Sequence, residues 1–325
     1  MRIAIVGAGA TGGYLGAQLT RAGEAVTLIA RGPNLAAMRA HGVRVRGEEG
    51  EFVAHPVCTD DLAAVGDAEA VFLTVKAHTV PEIAPRLAPL LGPQTAVVTA
   101  QNGVPWWYFC GHGGPLEGTC LETVDPGGVI ARSLEVRRII GCVVWPATRL
   151  VEPGVIEHVE GSRFTLGELD GERSDRCRDL SAALRNAGLK SPISRRIRHE
   201  IWLKLLGNVA FNPISALTRA TMVEIATQPD TRAVARAIME EANGVARALG
   251  EELEITVEQR LAGAGEVGAH KPSMLQDLES GRPLEVEALV GAVVELGDLL
   301  GIPLPHLRTI YACAKLLDQT ARRQN

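Results

Sequence analysis

Near the amino terminus Ile3, Ala4, Ile5 and Val6 form a short apolar run, Gly7, Gly9 and Gly12 follow in GAGATGG, and Tyr14 to Ala22 has helical spacing closed by Gly23. No other stretch constrains the fold as tightly. A buried strand, a tight glycine turn and a helix in that order start a parallel sheet with a crossover helix. The first glycine permits the turn, the second lets a pyrophosphate approach the backbone, and the third lets helix and strand pack closely. Amide hydrogens of the first helical turn then face the phosphates. Gly7, Ala8, Gly9, Ala10, Thr11 and Gly12 are accordingly read as dinucleotide contacts.

A second strand, Ala25 to Ile29, ends in Ala30-Arg31-Gly32-Pro33. A site preferring NAD usually carries a carboxylate near this strand end to hold the ribose hydroxyls. Arg31 stands there instead and suits a 2′-phosphate, which points to NADP(H); a solvent-facing guanidinium is the other reading. Asn34 and Arg39 follow without spacing that fixes a role. Ala70 to Val75 reads as another buried strand, and Lys76 at its carboxyl end either faces cofactor phosphate or ribose or is a surface lysine opening the next helix. That helix is expected over Val80 to Leu91, with Pro81 near its start. Thr95 to Ala100 is a strand and Gln101-Asn102-Gly103 its turn, so Asn102 reaches the nicotinamide ribose or the substrate carbonyl, or simply forms the turn.

Residues 43–59 read as short extended segments around a Gly47-to-Gly50 turn. Aromatic residues make up only 4% of the chain, yet Trp106, Trp107, Tyr108 and Phe109 are consecutive, as a substrate wall or as structural packing. Further strands are expected at Ile139 to Trp145 and Arg163 to Leu166, joined by a turn at Pro153-Gly154. His158, with no second histidine at ligand spacing, is read as structural.

After Arg173 to Asn186 and a Gly188 stop, the pattern becomes helical: Ile197 to Phe211, Thr231 to Leu249, Val257 to Val267, Pro283 to Leu300 and His306 to Ala321, then a polar tail to Asn325. The fold class is therefore α/β, a Rossmann-type dinucleotide-binding domain over 1–190 followed by an all-helical domain over 191–325. Within the second half, Lys204, Asn208 and Asn212 recur every four residues among Trp202, Leu203, Leu205, Leu206, Val209 and Phe211. On one helix they form a polar row with steps of about 6 Å, close enough for a small ligand to touch neighbouring members. Pro213 is expected to kink or break the helix at Asn212. Ser273 is placed to cap the helix that follows it. Glu285 is expected early in the next helix, with Arg282 as a local partner.

A length of 325 residues fits roughly two domains. With 46% hydrophobic and 22% charged residues, a formal net charge of −5 and no basic run, nucleic-acid binding is not expected. Six scattered cysteines form no close metal-ligand pair. A signal-peptide pattern and a membrane-length apolar run are both missing, so no membrane partner is expected and the protein is placed in the cytoplasm.

The chain resembles the 2-dehydropantoate 2-reductase, or ketopantoate reductase, family over essentially its whole length. The resemblance rests on GAGATGG, Lys76, the QNG turn, GVIEHVEGSRFTLGE, the Lys204 helix and SMLQDLESGRPLEVEALVG. It implies NADPH-dependent reduction of a small 2-oxo acid, most simply ketopantoate to pantoate, by a homodimer. Lys204 matches the family's catalytic lysine and Glu285 its functional carboxylate. Asn208, Asn212 and Ser273 match substrate-contacting positions, and Asn102 the asparagine near ribose and substrate. Arg31 and Lys76 match phosphate-binding positions. The chain departs from the family in three places: the ISALTRATMVEI that follows Pro213 holds no further asparagine, Leu284 precedes Glu285, and WWYF follows the QNG turn. These departures admit a different, bulkier or more apolar 2-oxo acid.

Overall fold

A computed structural model describes residues 1–48, 50–266 and 268–324. Glu49 of the expected turn, Val267 at the end of an expected helix and Asn325 of the tail lie outside them. The chain forms two compact units, one of residues 1–101, 106–120 and 127–197, the other of 102–105, 121–126 and 198–325.

Among the described residues the first unit is built on eleven strands: β1 Arg2–Val6, β2 Ala25–Ile29, β3 Val43–Gly47, β4 Gly50–Ala54, β5 Val57–Thr59, β6 Ala68–Leu73, β7 Leu91–Thr99, β8 Ile139–Val144, β9 Ala147–Glu152, β10 Val155–Glu160 and β11 Phe164–Gly167. Seven form one sheet in the order β11-β8-β7-β6-β1-β2-β5. Every neighbouring pair in it is parallel except β11 with β8. The chain leaves β1 for β2 on one side and later returns to β6 on the other, so the strand order reverses beside β1. In such sheets ligands bind outside the carboxyl ends of the strands at that reversal. Ile3, Ile5, Leu28, Ala70, Phe72 and Val98 are fully or almost fully buried, which explains the continuous apolar strand runs.

Helix Ala10–Arg21 packs on this sheet through Gly16, where an added Cβ would meet Leu28 Cδ2 at 2.5 Å. Its other flank meets a four-stranded sheet of order β4-β3-β10-β9. A Cβ on Gly13 would lie 3.0 Å from Ile156 Cδ1 of β10, and Tyr14 stacks on His158 with ring centroids 4.6 Å apart. His158 thus has an aromatic packing role. Glycines on two flanks let one helix sit close to both sheets.

Several local expectations are corrected. The turn at Pro153-Gly154 joins β9 and β10 of the smaller sheet and does not link β8 to β11. Residues 80–91 form no continuous helix: helix Val80–Ile83 gives way to single 3₁₀ turns at Ala84–Arg86 and Ala88–Leu90, and Leu91 begins β7. Pro85 and Pro89 each remove an amide donor and disfavour helical geometry in the preceding residue.

The second unit is helical apart from its two short insertions: Met222–Thr227, Pro229–Ala248, Val257–Glu266, Ser273–Glu279, Ala292–Leu300 and Pro305–Gln324 join the long helix Ile197–Thr218, whose first residue still belongs to the first unit. Trp202, Leu206, Val209, Ile238, Met239, Leu289 and Val293 are buried in it. Pro213 lies inside the long helix, which runs five residues further. Burial of Phe211, Ile214 and Ala216 on either side offsets the roughly 3 kcal/mol that an interior proline costs. No described helix is long and apolar enough to cross a membrane.

Candidate active site

At the carboxyl edge of the large sheet the glycine turn is fixed from three directions. Gly7 and Ala8 donate to the Ile29 carbonyl at 3.1 and 3.2 Å, and Thr74, just beyond β6, donates from its backbone to Val6 at 2.9 Å. The Thr74 hydroxyl donates to the Gly7 carbonyl at 2.8 Å. Gly7 has φ +107°, and a Cβ there would meet the Val75 amide nitrogen at 2.6 Å. A Cβ on Gly12 would overlap the Gly7 carbonyl and the Thr74 hydroxyl. Gly9 differs: it precedes helix Ala10–Arg21 in extended geometry, no side chain caps that helix, and nothing stands within 4 Å of its Cβ position. The turn therefore presents uncapped amides of Ala10 and Thr11 beside open space, a cradle that fits a dinucleotide pyrophosphate.

Asn34 braces the turn, donating to the Ala8 carbonyl at 2.6 Å and accepting from the Gly154 amide at 2.8 Å. Arg39 turns away, donating to the Cys58 carbonyl at 2.9 Å. Arg31 is exposed and immediately precedes helix Gly32–His41 at the end of β2. Lys76 is half-buried and opens the 3₁₀ turn Ala77–Thr79 beyond β6. The Gln101 amide donates to the Leu73 carbonyl at 2.6 Å, tying the ends of β7 and β6. Neither Thr74 nor Gln101 stood out in the sequence; the signal was their position just after the strands that end at this edge.

Trp107 belongs to the packing of the first unit. Its indole donates to the Thr99 hydroxyl at 2.8 Å, and its ring fills space left by Gly141. Tyr108 and Phe109 are fully buried.

In the second unit, helix Ile197–Thr218 carries Lys204, Asn208 and Asn212 along one row, as the four-residue spacing requires. Lys204 Nζ donates to Asn102 Oδ1 at 2.7 Å. Asn102 reaches that position because Gly103, at φ +88°, passes against Ala288, whose carbonyl accepts from the Val104 amide at 3.0 Å. A side chain at Gly103 would collide with that carbonyl. Asn212, 3% exposed, donates to Ser273 Oγ at 3.3 Å. Ser273 is the first residue of its helix, with Pro272 at the cap, so its hydroxyl serves Asn212 and not the helix end.

Glu285 is 5% exposed and lies just ahead of the helical segment, where its backbone carbonyl accepts from Leu289 at 3.3 Å. The expected Arg282 partner is instead bonded to buried Asp277 at 2.9 Å. That pair closes the turn leading to Glu285. The segment after Glu285 begins as a π turn, Glu287–Gly291, where a Cβ on Gly291 would strike Thr123 and Tyr311.

A doubly wound sheet with an open glycine cradle, and a helical unit holding a lysine among asparagines, a serine and a buried glutamate, define a dinucleotide-dependent oxidoreductase. The chain belongs to the ketopantoate reductase family: residues 3–171 match "Ketopantoate reductase PanE/ApbA" and residues 196–318 match "Ketopantoate reductase PanE/ApbA C terminal". It is an oxidoreductase of the 2-dehydropantoate 2-reductase type. It is 50% identical over 319 residues to the 2-dehydropantoate 2-reductase of Mesorhizobium japonicum, covering 98% of each chain. It is 32% identical to that of Archaeoglobus fulgidus, covering 95% of each. A putative ketopantoate reductase structure from Ralstonia solanacearum is 42% identical, with a TM-score of 0.93 and 98% of each chain covered.

Proposed function

We propose that this enzyme reduces 2-dehydropantoate (ketopantoate) to pantoate with NADPH, residues 1–190 holding the cofactor and 191–325 the substrate. The observation that carries this reading is the 2.7 Å bond from Lys204 Nζ to Asn102 Oδ1, at the head of a row continued by Asn208, Asn212 and Ser273. Bound NADPH supplies a hydride to the ketone carbon. Charge then grows on the ketone oxygen, where Lys204 as ammonium stabilises it and delivers a proton from Nζ. Asn102 fixes the direction of the ammonium. Asn208, Asn212 and Ser273 orient the carboxylate and hydroxyl of the substrate, and Glu285 supplies negative charge that favours the ammonium form.

On the cofactor side, Gly7, Ala8, Gly9, Ala10, Thr11 and Gly12 cradle the pyrophosphate, Lys76 and Asn102 contact phosphate and ribose, and Arg31 takes the 2′-phosphate. The preference for NADPH is supported by Arg31 and by the lack of a carboxylate through Ala30 to Asn34. A homodimer follows from family resemblance alone.

A panel of 2-oxo acids tests the proposal. NADPH oxidation should be fastest with ketopantoate; tight NADPH binding without turnover of any 2-oxo acid would refute it. A second reading, a more apolar 2-oxo acid, is favoured by Leu284, buried beside Glu285, and by buried Ile214 and Ala216 beyond the last asparagine of the row. Higher kcat/KM for a bulkier apolar acid than for ketopantoate would select it.

A further inference from the structure

Gly207 lies three residues after Lys204 and one before Asn208 on the long helix. It is therefore rotated about 60° from Lys204 and displaced by about 4.5 Å along the axis. A Cβ at Gly207 would come within 2.5 Å of Nη2, 2.6 Å of Nε and 2.9 Å of Cζ of Arg260. The guanidinium thus rests directly on the helix backbone, in space that any other residue at 207 would occupy. Arg260 sits on helix Val257–Glu266 with limited exposure. Among the described residues its guanidinium has neither a hydrogen-bond acceptor nor a carboxylate partner. Glu258, the carboxylate nearest to it in sequence on its own helix, is taken by Arg232 and Arg236 at 2.9 and 2.5 Å.

Partial burial of a guanidinium with no protein counter-charge is unfavourable, and an anion supplied by a ligand would relieve that cost. We propose that Arg260 is a substrate-binding residue that receives the carboxylate of the 2-oxo acid. Its planar fork of donors suits a carboxylate in two-point contact. Lys204 and Gly207 are one helical turn apart, a span that a 2-oxo acid bridges with its ketone toward Lys204 and its carboxylate toward Arg260. Burial already pushes the Arg260 pKa below its ordinary value, and an incoming anion opposes that shift. This assignment rests on the reading of the enzyme as a 2-oxo acid reductase. It makes Arg260 the principal partner of the carboxylate that Asn208, Asn212 and Ser273 help to orient, and leaves those three the hydroxyl of the substrate.

The test compares parent, Arg260→Lys and Arg260→Gln with ketopantoate and with its uncharged lactone, which keeps the ketone but has no free carboxylate. For the acid, KM should rise on the order of 10- to 100-fold in Arg260→Gln and less in Arg260→Lys, with kcat changed far less. The lactone should show parental kinetics in both variants, and NADPH affinity should be unchanged. Ligand-free Arg260→Gln should melt no lower than the parent, because it loses a charge that had no partner. A parental KM for the acid, an equal rise for acid and lactone, or a lowered melting temperature would each overturn the role. A parent that turns over no 2-oxo acid would refute the functional reading itself, whereas an active parent with an unaffected variant refutes Arg260 alone.

Discussion

Alanine at Gly9 and alanine at Gly12 add the same methyl group to one turn, yet their consequences should separate. At Gly12 the new Cβ would overlap the Gly7 carbonyl and the Thr74 hydroxyl, and even the Gly7 carbonyl carbon would be only 3.2 Å away. Relieving an overlap of about 1 Å means displacing backbone, an overpacking cost of about 1–3 kcal/mol. The displaced Gly7 carbonyl also loosens its 2.8 Å bond from Thr74, adding about 1 kcal/mol. Gly12→Ala should therefore destabilise the protein by about 2–4 kcal/mol, and it should weaken NADPH binding as well. At Gly9 the backbone is extended, with φ −74° and ψ −157°, and nothing lies within 4 Å of the Cβ position. Gly9→Ala should leave stability unchanged or raise it by a few tenths of a kcal/mol through the unfolded state. Its methyl group occupies the cradle, so NADPH affinity should still fall by at least about tenfold, or 1.4 kcal/mol. Urea unfolding gives the stabilities and fluorescence titration gives the dissociation constants. Parental NADPH affinity in Gly9→Ala would refute the cradle, and equal destabilisation by both variants would refute the packing argument.

Arg31→Ala should raise KM for NADPH at least about tenfold and leave that for NADH nearly unchanged; equal effects on both cofactors would remove the 2′-phosphate contact. The Cys177 thiol, pushed up to about 11 chiefly by burial and secondarily by Glu168, stays protonated at pH 8. Thiol alkylation at that pH, mapped by mass spectrometry, should mark exposed Cys120 and Cys313 and spare Cys177 until the pH rises toward that value. Trp107→Phe removes the donor to Thr99 and should cost about 1–3 kcal/mol of stability without altering the ranking of 2-oxo acids.

The elements governed by local rules could be read from the chain. β2 spans Ala25–Ile29 as expected, and the first helix begins at Ala10, four residues earlier than its apolar spacing suggested, because the glycine turn itself enters the helix. Long-range choices were not legible. The smaller sheet pairs β3 with β10 across more than a hundred residues, and no local pattern announces that register. Proline misled in both directions: Pro85 and Pro89 dismantled a helix that their apolar neighbours suggested, while buried neighbours carried the Ile197–Thr218 helix through Pro213. The Lys204 row followed from spacing alone, but its bond to Asn102 depends on Gly103 crossing Ala288. Arg260 gave no signal, since one arginine on an amphipathic helix reads as solvent-facing until Gly207 is seen beneath it.

The central claim is that Lys204 donates the proton to the forming alkoxide. Single-turnover reduction of ketopantoate by enzyme saturated with NADPH, compared between the parent and Lys204→Ala, tests it most directly. The account predicts a hydride-transfer rate lower by roughly 10²–10⁴-fold, with NADPH affinity nearly unchanged. A Lys204→Ala enzyme that transfers hydride at the parental rate while saturated with both ligands would contradict it.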